Sequence, residues 1–294
     1  MITHNGKYLS VATHHGMPIY AATMGGKMVI RPWLLSATLQ AIVAAFGAEG
    51  TEGIRKTNDY LNRIAITDPQ RALLLANFIN EDPMLVCSLV ETSKVRTLDN
   101  TSNGFIKSPM VVTTANLLSL RIEIEAQYHN STSLPSWASY GYDVPNLEFG
   151  YDNASQFVIG QPNNTFVRSG KNDSQYAVKM MRYIGDYKNR VAQLYEMDGT
   201  RIYNLAITGN VTITFYGQGY GLFQSVGSGG AAGNQNCKSK IKSTKFYIDD
   251  VLQYWLVPFV RNGVQGLIDL VEGNFYTSAN SATFTIALTP KTTS

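Results

Sequence analysis

From residue 118 to residue 126 every second side chain is apolar: Leu118, Leu120, Ile122, Ile124 and Ala126. Successive side chains of an extended segment point to opposite faces, so this run predicts a strand with one dry face and one wet face. Shorter strand-like runs follow at residues 156–159, 176–183, 191–196, 211–216, 240–248 and 282–288, separated by clusters of Asn, Gly, Asp and Pro. Many short strands at such spacing predict a β-sandwich or barrel.

Composition agrees. Hydrophobic residues make up 44% of the 294, enough for a core. Charged residues make up only 15%, against roughly 25% in an ordinary domain. Ser, Thr and Asn, 68 together, supply polarity instead. Thr and aromatics suit strands, while Gly and Asn suit turns. A net charge of +3 is too mild for a nucleic-acid binder held by phosphate contacts. No apolar run approaches the roughly 18 residues of a membrane span, so no membrane insertion is expected. Residues 1–7 lack a basic flank followed by an apolar stretch, and no secretory signal peptide is read. Cys87 and Cys237 form no CxxC pair and are expected as buried free thiols, made in a reducing cytoplasm.

The texture changes near residue 95. Residues 1–94 are expected to form a small mixed α/β region, and residues 95–294 the β-sandwich. Residues 1–30 read as short extended pieces, with Asn5-Gly6 and Gly25-Gly26 as turns. Leu35, Leu39, Ile42, Val43 and Phe46 share one helix face, and Gly47 is a stop. A loop is expected over residues 47–53 and a second helix over 54–64. A third starts at Asp68-Pro69, where Asp68 can cap free N–H groups and Pro69 loses nothing. Residues 84–90 read as an apolar run at the start of the β-rich part. No internal repeat is read, and residues 227–234 are a Gly-rich loop.

Several side-chain groups invite chemistry. Glu123 and Glu125 fall on one strand face. The run Glu123-Ile124-Glu125-Ala126-Gln127 resembles that of laminarinase-type glycosidases, but Gln127 stands where their general acid would be and cannot protonate a leaving group. A polar strand edge is the plainer expectation. His14 and His15 are adjacent and point apart on a strand, so they cannot share one metal ion. Gly217-Gln218-Gly219-Tyr220-Gly221 lacks the helix that a dinucleotide loop requires. Lys238, Lys240, Lys242 and Lys245 are expected to guard an exposed strand edge or to cover a solvated face. Trp137, Tyr140, Tyr142 and Tyr151 lie in a Pro- and Gly-rich stretch. They are candidates to stack on a glycan or a partner, or else to pack the rim of the core. No catalytic residue, metal site or cofactor is expected.

The most specific stretch is the last fifty residues. Leu256-Val257-Pro258 is followed by a polar hairpin, then Gly266-Leu267-Ile268-Asp269-Leu270-Val271, then Gly273-Asn274-Phe275-Tyr276, and finally Thr283-Phe284. This resembles the closing segment of laminin-G-like, concanavalin-like jelly rolls found in virion proteins of tailed phages and in surface proteins of gut bacteria. Pro258, Gly266, Asp269, Gly273, Phe275, Tyr276 and Phe284 match. Ile268 replaces the usual Tyr, and Tyr254 or Trp255 the usual basic residue. Weaker similarity reaches back through Tyr220-Gly221-Leu222-Phe223. The residues themselves agree: Asn262-Gly263 turns one strand back, and Phe246, Trp255, Phe259, Phe275 and Phe284 are expected as core anchors. The resemblance implies a non-enzymatic fibre, spike or decoration protein of a virion, the crAss-like group being the expected source. Such a protein is a dimer or trimer made in the bacterial host cytoplasm. Its partners are capsid or tail components and a host-surface glycan, and residues 1–94 are its attachment and oligomerisation region. A free lectin-like module is the alternative, and a glycosidase the weaker third.

Overall fold

A computed structural model describes residues 33–101, 104–128, 150, 151, 156–160, 166–208, 219–223 and 238–291 in full. It also describes the backbone of strands within residues 2–30, 138–142, 147–149, 224–226 and 232–236. The chain divides into two compact units, Met1–Ser93 and Lys94–Ser294. It is mainly β, with a large antiparallel sheet and a helical region in the first unit.

The first unit opens with six short strands, β1 (Ile2–His4), β2 (Lys7–Leu9), β3 (Thr13–His14), β4 (Met17–Pro18), β5 (Ala21–Met24) and β6 (Lys27–Ile30). Three helices follow: α1 (Ser36–Phe46), α2 (Gly50–Thr67) and α3 (Pro69–Glu81). Helix α1 buries Thr38, Ile42 and Phe46. Its first turn is capped from α3: Asn80 Oδ1 accepts from the Leu35 N–H at 2.9 Å and the Thr38 hydroxyl at 2.7 Å. Helix α2 starts at Gly50, inside the expected loop. A side chain at Gly50 would put its Cβ 2.5 Å from the Val43 Cα, so glycine is what lets α1 and α2 meet there. Asp68 caps α3 as expected, accepting from the Arg71 N–H at 2.9 Å, with Pro69 in the first turn. Residues 84–90 are not a strand. They form a 3-10 turn and a short helix, α4 (Val86–Leu89), with Leu85, Val86 and Cys87 buried. An apolar run of that length fits either element, and packing decides. Cys87 is a free thiol, and Cys237 lies outside the described residues.

The second unit carries β7 (Lys94–Asn100), β8 (Ile106–Val111), β9 (Leu120–Tyr128), β10 (Ala138–Tyr142), β11 (Leu147–Tyr151), β12 (Phe157–Gly160), β13 (Phe166–Arg168), β14 (Met181–Asp186), β15 (Val191–Glu196) and β16 (Arg201–Ala206). It continues with β17 (Gly219–Leu222), β18 (Gln224–Val226), β19 (Ala232–Asn236), β20 (Ser239–Ile248), β21 (Val251–Arg261), β22 (Val264–Asp269), β23 (Phe275–Tyr276) and β24 (Thr285–Pro290). The larger sheet runs β16-β15-β14-β9-β20-β21-β22-β23, with β7 on β20 and β24 on β7. The smaller runs β13-β12-β11-β10-β17-β8, with β18 and β19 attached.

Strand β9 shows the expected alternation: Leu120, Ile122, Ile124, Ala126 and Tyr128 are buried, and the residues between them are half-buried. They share one core with Tyr183, Leu194, Ile241 and Phe246 of the same sheet, and with Ile106, Tyr151, Phe157, Tyr220 and Leu222 of the other. Leu118 departs from the pattern. It sits in a 3-10 turn before the strand and is 46% exposed. Residues 176 and 177, the start of the strand expected over 176–183, belong instead to a short helix, α5 (Ser174–Ala177), and the strand begins at Met181. The expected strand at 211–216 and residues 227–231 of the expected loop lie outside the described residues, while residues 232–234 of that loop belong to strand β19, which pairs with β18. Gly219–Leu222 is a strand followed by another strand, which removes the dinucleotide loop. Among the described residues no helix is long and apolar enough to cross a membrane.

Two neighbouring glycines test the α1–α2 contact. Gly50→Ala should cost about 1–3 kcal/mol through overpacking. Gly53→Ala meets open space inside the helix and should stabilise by about 0.5–1 kcal/mol. Urea unfolding followed by helical circular dichroism checks both, and equal effects would refute the close approach.

Candidate functional site

The acidic run and the lysine run lie beside each other. Strand β9 pairs with β14 on one side and β20 on the other. Strand β20 in turn pairs with β7 and β21 along its second side. Both are interior strands, so Glu123 and Glu125 do not mark a sheet edge, and Lys240, Lys242 and Lys245 do not guard one; exposed Lys238 precedes β20. Strand order is a long-range property that local composition does not carry.

Outer-face side chains form rows across these strands. Lys242 Nζ is 2.7 Å from Glu125 Oε2, with side chains 26% and 23% exposed. The register shifts between Ile241 and Ser243. This bulge sets an extra residue beside Glu125 and leaves Ser243 opposite it. Ser243 Oγ then accepts from the Trp255 Nε1–H at 3.1 Å. Lys245 Nζ lies 4.6 Å from the centre of the Trp255 ring, and Arg121 lies 4.0 Å from that of Tyr247. Arg121 also reaches Glu123 at 3.5 Å, and Arg182 stacks over Tyr195 at 4.8 Å. Burial raises the Tyr247 hydroxyl above its ordinary value; the Glu123 charge adds to this, and Arg121 opposes it. The Gln127 amide donates to Val178 O at 2.7 Å. Each carboxylate has a cation, and the third position is engaged as a donor. The face carries more cations than carboxylates, and three of the cations cover aromatic rings. Trp255 is therefore a half-buried face residue rather than a core anchor.

The aromatic candidates separate. Trp137 lies outside the described residues. Tyr140 and Tyr142 sit on β10, opposite Phe149 and Leu147 of β11, and their side chains lie outside the described set. Tyr151 is fully buried, which corrects its candidacy as a surface contact. Its ring meets Tyr128 edge-on at 5.2 Å, and its hydroxyl lies 3.3 Å from that of Tyr183. A buried tyrosine needs such a partner, and the core supplies one.

The motif residues build a lock. Asn262 and Gly263, both with positive φ, turn β21 into β22, as Asn-Gly hairpins require. A Cβ at Gly266 would stand 2.3 Å from Tyr276 O and 2.9 Å from the Phe275 ring. Asp269, fully buried, accepts from the N–H groups of Trp255 at 2.9 Å, Val271 at 3.0 Å and Glu272 at 3.1 Å. Gly273, at φ 87, completes the turn. Phe275 packs edge-on against Phe259 at 6.0 Å, and Phe284 stacks on Phe223 at 5.0 Å. Pro258 is buried opposite Leu267. Phe246, Phe259 and Phe284 are buried, while Phe275 is half-buried.

One buried group escapes sequence reading. Asp173, 1% exposed, accepts from the Tyr203 hydroxyl at 2.5 Å, from the Phe157 N–H at 2.9 Å and from the Ser169 hydroxyl. Burial raises the Tyr203 hydroxyl above its ordinary value, and the bond to Asp173 adds to the effect. The partners come from β12, β16 and the segment after β13, so no local spacing announces the cluster. Among the described residues no group of three or more His, Cys, Asp or Glu is placed to hold a metal ion. No family model, curated protein or solved structure matches this chain.

Removing Asp173 strands three donors, so Asp173→Ala should cost about 3–5 kcal/mol, and Tyr203→Phe about 1 kcal/mol. Urea midpoints check the order of the two. Asp269 carries a pH signature. Burial raises its carboxyl above the ordinary value, against three N–H donors that favour the ionised form. The folded chain then holds this proton more tightly than the unfolded chain. The stability contributed by Asp269 is full below about pH 3.9 and falls as pH rises through the raised folded value. The stability difference between the native chain and Asp269→Asn should follow that fall, and a flat difference would refute it.

Proposed function

We propose that the chain is a non-enzymatic structural protein of a tailed-phage virion, a head or tail fibre, spike or decoration component. In this reading Lys94–Ser294 is a concanavalin-like, laminin-G-like jelly roll displayed outward. Copies associate as a dimer or trimer and meet capsid or tail proteins, and the displayed unit touches a host-surface glycan. The observation that carries the reading is the closing hairpin. Gly266, Asp269, Gly273 and Phe275 act there as turn, cap and packing residues. The virion-type closing motif thus has a structural task at these positions.

A second observation supports the absence of catalysis. Glu125 is paired with Lys242, and the Gln127 amide is committed to Val178 O. The usual glycosidase mechanism uses a pair of carboxyl groups, one of them protonated, and the amide at Gln127 cannot be that acid. The free lectin-like module remains the second reading, favoured by the half-buried Trp255 beside Lys245 on the outer face.

Light scattering should give twice or three times 32.4 kDa, and a strict monomer would overturn the assembly. β-glucans should stay intact in the presence of the protein. Hydrolysis lost in Glu123→Gln would replace this reading with a glycosidase.

A further inference from the structure

Residues 1–30 contain a repeat that the sequence reading did not register. They divide into three blocks of ten: Met1 to Ser10, Val11 to Tyr20 and Ala21 to Ile30. Thr recurs at 3, 13 and 23, Gly at 6, 16 and 26, and an aliphatic residue at Leu9, Ile19 and Val29. Each block forms one antiparallel hairpin, β1 with β2, β3 with β4 and β5 with β6. The register is the same in all three. Thr3 pairs with Tyr8, Thr13 with Pro18 and Thr23 with Met28. His4 pairs with Lys7, His14 with Met17 and Met24 with Lys27. Every pairing leaves two residues between the strands, and the second is always glycine. Two-residue hairpin connections favour glycine there.

Each hairpin is a two-stranded sheet of its own. A lone hairpin is marginal in water and needs a third strand or a covering surface. Repeat units normally obtain this by stacking on neighbours with the same pattern. Among the described residues the three hairpins of one chain form separate sheets, which leaves the strand edges of each open to a matching neighbour. A second copy of residues 1–30 offers the same ladder at the same ten-residue step, and all three hairpins can then dock together. The thirty residues hold two lysines, Lys7 and Lys27, and no Asp or Glu, so parallel copies meet little repulsion at physiological salt.

We propose that residues 1–30 are an assembly arm, a three-step ladder of decapeptide hairpins that builds a multichain β shaft with the same ladder of other copies of this chain. The proposal rests on the self-assembly in the functional reading and assigns that assembly to these hairpins.

The test measures the mass of the full-length chain by light scattering across a dilution series. The native chain should run as a multiple of 32.4 kDa. The full-length variant Thr3→Pro, Thr13→Pro, Thr23→Pro, which removes strand donors, should run as a monomer while its main unfolding transition stays unchanged. A second variant inserts one Ser after Ser10. It leaves every hairpin intact but breaks the ten-residue step, and association should weaken by about a hundredfold as simultaneous docking is lost. If both variants keep the native mass and affinity, the arm is not the contact, although assembly through another surface stands. If the native chain is monomeric, both readings fall. A native monomer that binds only other virion proteins would overturn the copy as the occupant.

Discussion

Strand β9 has a neighbour on each side, and much of the second unit follows from that. Each of its side chains has to agree with two rows on its own face. On the inner face this means dense apolar packing around Ile122 and Ile124, both fully buried. On the outer face each of the two carboxylates meets a cation, because carboxylates 20% and 23% exposed have lost much of their water. Lys242 answers Glu125, and Arg121 answers Glu123. The bulge in β20 leaves Ser243 beside Glu125, and that serine then fixes Trp255. Lys242 and Glu125, members of two runs that suggest separate chemistries in the sequence, are each other's counterions.

Two-residue hairpin turns of type I′ between twisted strands require positive φ at both positions. Asp249 and Asp250 connect β20 to β21 with φ of 50° and 65°, a conformation that non-glycine residues adopt at a cost. Lys188 reaches both, at 3.7 Å and 2.6 Å, and its bond to Asp250 holds that carboxyl below its ordinary value. The pair is too exposed to contribute much stability. Its effect is to hold the β14–β15 turn beside the β20–β21 turn. Phe223, at φ 68, is the buried counterpart: its strain is offset by stacking on Phe284.

Features resting on neighbours in sequence were legible. Asp68-Pro69 announced α3, Asn262-Gly263 announced a hairpin, and alternation announced β9 within two residues at either end. Features resting on distant partners were not. The cap on α1 is Asn80, 45 residues from Leu35, and the acceptor for Tyr203 is Asp173, 30 residues away. Tyr151 looked like a loop aromatic because its surroundings are rich in Gly and Pro, yet its strand carries it into the core. The decapeptide repeat was a different kind of miss. Three fixed positions in ten are weak as a string, and they became a pattern only when the register showed which positions correspond.

In the assembly proposed above, the two parts of the chain would fix their contacts by different means. On the outer face of the large sheet, opposite charges fix which residues meet. The three hairpins contain no carboxylate and cannot use that device. Their specificity has to come from period. A slip by one residue in docking places every side chain on the wrong face. A slip by one block keeps the faces but gives up one hairpin of three. The aligned arrangement alone satisfies both conditions, so a ladder poor in charge can still choose a single register. The low charge fraction of the chain is then compatible with specific assembly, because the choice is made by spacing instead of by ion pairs.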